Sequence, residues 1–149
     1  MSLYLDASVL MPTLVAEPAT ASVGTFLLDC ADSLTVSELA AAEVASALSR
    51  LVRMGHLTGP DATERLADFD GWRASGTESA DLDAHDCRLA HNFVRRFDLM
   101  LRAPDALHVA ICRRLDLALV TLDQRLARAA RALGVTVHVP TDPKEAAHE

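Results

Sequence analysis

The chain has 149 residues, half of them apolar, with 14 basic against 21 acidic side chains and a net charge of −7. A chain of this length buries about 70% of its unfolded surface on folding, so it needs neither disulfides nor a structural metal, and its apolar content excludes wholesale disorder. The acidic total speaks against a uniformly basic nucleic-acid-binding surface. The charge is uneven, however: residues 1–49 hold six acids and no Lys or Arg, while residues 88–134 hold nine Arg and four Asp, locally +5. Cys30, Cys87 and Cys112 are odd in number and form no C-x-x-C pair, which fits small buried thiols in a reduced cytoplasmic protein. The longest apolar run, residues 9–16, is interrupted by Pro12 and is far shorter than a membrane span. The expectation is a cytoplasmic protein with no membrane partner.

In chain order, Leu3-Tyr4-Leu5 is a buried-strand candidate, followed by helical stretches over residues 7–15 and 20–30. Leu34-Thr35-Val36 is strand-like, and Ser37 can cap a long helix that runs to residue 54 and stops at Gly55. Gly59-Pro60-Asp61 starts another helix, to residue 75. Residues 78–82 form a weak strand, and residues 83–101 read as one continuous helix. Pro104 opens a helix to residue 115; residues 117–122 are a continuous apolar strand run; residues 123–133 are a helix stopped by Gly134; residues 135–139 are the last strand. Strands alternating with helices of ten or more residues imply parallel β-α-β units, and strands without polar alternation imply a sheet covered on both faces. The expected domain spans residues 1–139, with a polar tail over 140–149.

Chemistry in such folds gathers where the carboxyl ends of strands meet helix N-termini. Asp6 ends the first strand, Asp105 lies in the first turn of the helix opened by Pro104, and Asp123 follows Thr121-Leu122. Each alone reads equally well as an ordinary cap or a favourable charge at a helix dipole. Two of them follow strongly apolar strands that should be central, which places them close together at one rim. On the long helix, Val44, Leu48 and Leu51 centre the apolar stripe and Glu43 stands on its border, where a carboxylate can lean over a sheet rim or simply face solvent. Four such carboxylates would repel one another unless a hard divalent ion occupied the cluster.

Four segments then carry a resemblance: Tyr4-Leu5-Asp6-Ala7-Ser8, the helix segment from Glu43 to Arg50, Pro104-Asp105-Ala106-Leu107-His108-Val109-Ala110, and Leu119-Val120-Thr121-Leu122-Asp123. In this order and spacing they resemble PIN-domain ribonucleases, and specifically the VapC toxins of bacterial VapBC toxin–antitoxin modules. The resemblance runs from residue 3 to residue 139. It implies a three-layer α/β/α sandwich with a central parallel sheet of four to five strands. It also implies an acidic site of Asp6, Glu43, Asp105 and Asp123 holding Mg²⁺ or Mn²⁺, with Ser8 and Thr121 as supporting hydroxyls. In that site Asp6 and Asp105 would be direct metal ligands, Asp123 would bind directly or through water, and Glu43 would ligate or orient the attacking water. The implied activity is hydrolysis of a structured RNA, tRNA or rRNA, to a 5′-phosphate and a 3′-hydroxyl. The implied partners are a VapB-type antitoxin and a second copy of the chain. One departure is Ser46, where the family often carries Asn.

The remaining residues discriminate among rivals. His108 has no second His at helical spacing, so a zinc site is disfavoured and the side chain reads as packing. Arg88, Arg95, Arg96, Arg102, Arg113, Arg114, Arg125, Arg128 and Arg131 can position phosphates without selecting sequence, or simply solvate helix faces. A haloacid-dehalogenase-like phosphatase wants a second Asp where Ser8 stands and a Lys near the site, but the one Lys is Lys144. The six Gly form no phosphate-cradling loop. Two alternatives keep the same fold: a PIN nuclease in RNA processing outside a toxin module, and a catalytically inactive PIN-like binding protein. The apolar segments 9–11 and 26–28 offer surface for an antitoxin or a dimer, or belong to the core.

Overall fold

A computed structural model describes residues 1–141 of the chain. The element order is β1 (Leu3–Leu5), α1 (Ala7–Leu14), α2 (Thr20–Asp29), β2 (Leu34–Ser37), α3 (Glu38–Arg53), α4 (Gly59–Gly76), β3 (Glu78–Ala80), α5 (Ala84–Val94), a 3₁₀ turn (Phe97–Leu99), α6 (Ala103–Leu115), β4 (Ala118–Val120), α7 (Gln124–Ala132) and β5 (Val137–His138). The five strands form one parallel sheet in the order β3-β2-β1-β4-β5. The expected sandwich and its parallel sheet are therefore present, with β1 and β4 side by side at the centre.

The two-residue period of the strands sorts the core onto both faces. Leu3, Leu5, Val36, Ala118 and Val120 pack with Val9, Leu10, Val44, Leu48 and Phe69 from α1, α3 and α4. Tyr4 and Leu119 point the other way, into Ala90, Phe93, Val109, Ile111, Leu126 and Ala130 from α5, α6 and α7. Each fully buried Leu or Val contributes about 1.5–3 kcal/mol. Gly55 and Gly134 end α3 and α7 with φ of +75° and +83°. At both places the next amide bonds back across six residues, His56 to the Leu51 carbonyl and Val135 to the Ala130 carbonyl, so both glycines stop their helices as expected.

Three expectations need correction. The helix over 83–101 ends at Val94, and residues 95–102 turn the chain. α5 and α6 pack side by side on one face of the sheet, in contact through Phe93, Val109 and Arg113; a helix kept to residue 101 would leave too little chain to reverse before Pro104. Of the three cysteines only Cys112 is buried, while Cys87 is exposed. Within the apolar segments proposed as surface, Val9 and Leu10 are fully buried core, whereas Leu28 is 87% exposed. The polar tail lies outside the described residues from position 142 onward. No helix among the described residues is long and apolar enough to cross a membrane.

Candidate active site at the sheet rim

The carboxyl ends of β1, β2 and β4 define one rim, and Asp6 sits on it directly after β1. Its side chain is buried. Oδ1 accepts from the Ser8 hydroxyl at 2.6 Å and from the Val9 amide at 3.3 Å, and Oδ2 accepts from the Thr121 hydroxyl at 2.6 Å. The cap reading and the rim reading are thus both correct: the same carboxylate closes the N-terminus of α1 and faces β4. Burial pushes the Asp6 carboxyl above the usual carboxylate range despite the Ser8 and Thr121 hydrogen bonds and the nearby His108.

Ser8 and Thr121 tie β1 to β4. The Leu122 amide donates to the Ser8 hydroxyl at 2.9 Å, and the Asp123 amide donates to the Thr121 hydroxyl at 3.1 Å. Asp123 then caps α7, Oδ1 accepting from the Arg125 and Leu126 amides. Its exposed carboxylate lies close enough to Asp105, in the first turn of α6, to act on it. Partial burial first, and the Asp123 charge second, raise the Asp105 carboxyl, against the lowering influence of His108 and Arg102.

Glu43 joins from the border of α3, with its side chain 35% exposed and bonded to His108 Nε2. His108 is 2% exposed. Its other ring nitrogen, Nδ1, bonds to the Tyr4 hydroxyl, which stands 2.6 Å from Ser37 Oγ. The packing role expected for His108 is therefore incomplete: one turn after Asp105 it bridges Tyr4 and Glu43. A Tyr inside a buried central strand must find a partner for its hydroxyl, and that requirement, with His108 at i+3 from Asp105, is the signal in the sequence that leads to this contact. Ser46 is exposed on α3.

Glu43 thus bonds to His108, Asp6 and Asp105 lie within electrostatic reach of its ring, and Asp123 lies within reach of Asp105. Among the described residues no three His, Cys, Asp or Glu side chains converge into a ready metal cage. The available donors are nonetheless carboxylate oxygens, two of them raised toward the neutral form, and a hard divalent cation is the species that suits such a set. The donor chemistry fits Mg²⁺ or Mn²⁺; the residues that would hold it are Asp6, Asp105 and Asp123, with Glu43 beside them.

The Arg residues divide by role. Arg114 clamps the fully buried Asp86 with two 2.8 Å bonds, Arg113 lies over the Phe93 ring, and Arg96 pairs with Asp98. Arg88, Arg95, Arg102, Arg125, Arg128 and Arg131 are exposed and have no carboxylate partner among the described residues. Arg102 precedes α6 and Arg125 lies in the first turn of α7, so these two start from the rim, and Arg128 follows one turn further along α7.

A family model described as the PIN domain matches residues 3–132. No curated protein matches the chain. Among solved structures, VapBC2 from Rickettsia felis bound to a promoter DNA fragment aligns at a TM-score of 0.68 and 13% identity, covering 93% of this chain and 98% of that one. VapC20 from Mycobacterium tuberculosis, described as a sarcin–ricin loop cleaving toxin, aligns at 0.69 and 16%, covering 85% and 94%. FitAcB from Neisseria gonorrhoeae aligns at 0.67 and 18%, covering 94% and 98%. At these identities the likeness is one of fold.

Proposed function

The chain belongs to the PIN-domain family, and from that premise we propose that it is a metal-dependent endoribonuclease acting as the toxin of a VapBC-type toxin–antitoxin pair. The observation that supports the reading is the set of linked carboxylates along one rim: Asp6 braced by Ser8 and Thr121, Asp105 within electrostatic reach of Asp123, and Glu43 bonded to His108 one turn after Asp105.

Phosphodiester hydrolysis requires an activated water and relief of the charge that builds on the phosphate. A Mg²⁺ or Mn²⁺ ion held by Asp6, Asp105 and Asp123 would supply Lewis-acid polarisation there. The protein itself supplies the frame. Thr121 and Ser8 hold the Asp6 carboxylate in one orientation and the α7 amides hold Asp123, and Glu43 would ligate the ion or accept a proton from the attacking water. The exposed Arg102, Arg125 and Arg128 would position the RNA backbone by charge. The substrate class is a structured RNA, tRNA or rRNA.

A toxin also needs a restraining partner, and solved structures of this fold include a complex described as a toxin–antitoxin assembly. A groove of about 400 Å³ lined by Leu14, Leu27, Leu28, Leu34, Phe69 and Trp72 gives a VapB-type antitoxin an apolar foothold. Pairing with a second copy of the chain is part of the same reading.

Inducible expression of the chain beside Asp6→Asn and Asp105→Asn variants tests the proposal. Growth arrest with RNA cleavage, lost in both variants and relieved by co-expression of a protein encoded next to it, is the expected result. Equal toxicity of the Asn variants would overturn the nuclease mechanism. Arrest that no neighbouring gene product relieves would favour an RNA-processing nuclease.

A further inference from the structure

His108 stands at the centre of the rim, bonded on one side to Glu43 and on the other to Tyr4, and none of the four segments of the motif explains why an imidazole is buried there. We propose that Ser37, Tyr4 and His108 form a buried positioning relay that fixes the Glu43 carboxylate at the rim, with His108 held as the tautomer protonated on Nε2. The catalytic consequence rests on the nuclease reading above; the tautomer does not.

Hydrogen-bond accounting sets the direction of the relay. Ser37 is the last residue of β2 and the N-cap of α3, where its Oγ accepts from the Ala40 amide at 3.0 Å. A buried hydroxyl also has one hydrogen to give, and the acceptor that Ser37 reaches is the Tyr4 oxygen at 2.6 Å. Tyr4 then receives from Ser37 and must itself donate, and its remaining partner is His108 Nδ1. Nδ1 is therefore the acceptor nitrogen, which leaves the ring proton on Nε2, aimed at Glu43 Oε1.

The reverse direction fails at the far end. If Nδ1 carried the proton and donated to Tyr4, Tyr4 would donate to Ser37, and the Ser37 hydrogen would be buried with no acceptor. Leaving such a donor unsatisfied disfavours that tautomer by roughly fivefold to a hundredfold. Ser37, Tyr4 and His108 are all buried, so water does not offer the missing partner. The helix cap of α3 is thus linked through a strand and α6 to a carboxylate on the second turn of the same α3. Glu43 has a flexible stem and is 35% exposed; without the imidazole it would sample several rotamers. His108 is a positioning residue in this scheme and acts through Glu43.

The test combines a spectroscopic and a kinetic arm on the full chain. Long-range proton–nitrogen correlation on ¹⁵N-histidine-labelled protein at neutral pH identifies the His108 ring by its absence in His108→Gln. The relay predicts a single tautomer with the proton on Nε2 that persists in Glu43→Ala, where Tyr4 alone directs it, and gives way to mixed tautomers when Tyr4→Phe, which keeps the aromatic packing, is added. An Nδ1-protonated or averaged ring in the unchanged protein would overturn the proposal. In the kinetic arm, single-turnover cleavage of total tRNA and ribosomal RNA with Mg²⁺ should slow about 10–100-fold in His108→Ala at unchanged half-saturating RNA concentration. His108→Gln should recover part of the rate, because its amide can still donate toward Glu43. In a Glu43→Gln background, His108→Ala should add less than about twofold, and full additivity would contradict the relay. If Asp6→Asn is inactive while folded His108→Ala cuts at the full rate, the relay's role fails. If Asp6→Asn cuts as fast as the unchanged protein, the nuclease reading fails and the tautomer arm still decides the relay.

Discussion

Asp6 combines two demands on one carboxylate. Three donors hold it in place, yet burial keeps its protonation favoured above the usual range, and Asp105 is raised by burial and by Asp123. Groups with raised folded-state values contribute stability that is fully present below the ordinary carboxylate range and is lost as pH rises through the raised values. At neutral pH the ionised rim therefore strains the fold, and Asp6→Asn should raise Tm in calorimetry while abolishing RNA cleavage. A hard divalent ion should do the same for the unchanged protein by mass action, about 2.7 kcal/mol at a hundredfold excess over Kd. Titration with Mn²⁺ followed by thermal unfolding checks this: Tm should rise on the order of 5–10 °C, with no rise in an Asp6→Asn, Asp105→Asn double variant. The positions of Asp6, Asp105 and Asp123 were legible in the sequence because a rim carboxylate and a helix N-terminus occupy the same few residues of chain. The contact of His108 with Glu43 was not, because Glu43 lies 65 residues away and reaches the imidazole only where α3 and α6, on opposite faces of the sheet, pass the same rim.

At the scale of elements, the α5–α6 pair holds the platform for Asp105 and His108. Asp83 and Asp86 close the N-terminus of α5 reciprocally, and Arg114 on α6 grips both oxygens of Asp86 while its Nη2 also donates to the Asp81 carbonyl at 2.7 Å. Burial alone would raise Asp86, but the Arg114 hydrogen bonds and charge and the Asp83 amide hold it below the usual range. A carboxyl lowered in the folded state stabilises the protein above its unfolded value, and that stability is lost as pH falls through the folded value. Arg114→Met leaves a buried carboxylate without its cation and should cost about 3 kcal/mol, a Tm decrease on the order of 6–12 °C. Acidification should narrow the gap between the variant and the unchanged protein as Asp86 protonates. The break after Val94 was hidden from sequence because Phe97 and Leu101 continue the helical period of Phe93. Chain reversal, which no local pattern encodes, decides that Leu99 turns inward and leaves Phe97 85% exposed.

Over the whole molecule, the alternation of apolar strands and helices made the parallel sheet legible, and two apolar strands bearing acids pointed to a shared rim. The order β3-β2-β1-β4-β5 was less accessible, since it depends on which strand each crossover reaches. Charge follows the same logic. The net −7 describes no single face: of the nine Arg in residues 88–134, Arg96, Arg113 and Arg114 have side-chain partners, and the other six are exposed without carboxylate partners among the described residues. Neutralising Arg102, Arg125 and Arg128 to Gln should weaken RNA binding roughly equally across sequences. The slope of log K against log salt should flatten by about 2, from three lost phosphate contacts at about 0.7 each; fluorescence anisotropy with a labelled tRNA over a salt series measures it. The central claim is that the rim carboxylates perform metal-dependent RNA cleavage. Its most direct test is incubation of total RNA with the purified chain in Mg²⁺, in EDTA, and with Asp105→Asn in Mg²⁺, followed by mapping of the new 5′ ends. Cleavage at a few positions in Mg²⁺ alone, absent from the other two reactions, is the predicted result; cuts of equal intensity in EDTA or with Asp105→Asn would contradict it.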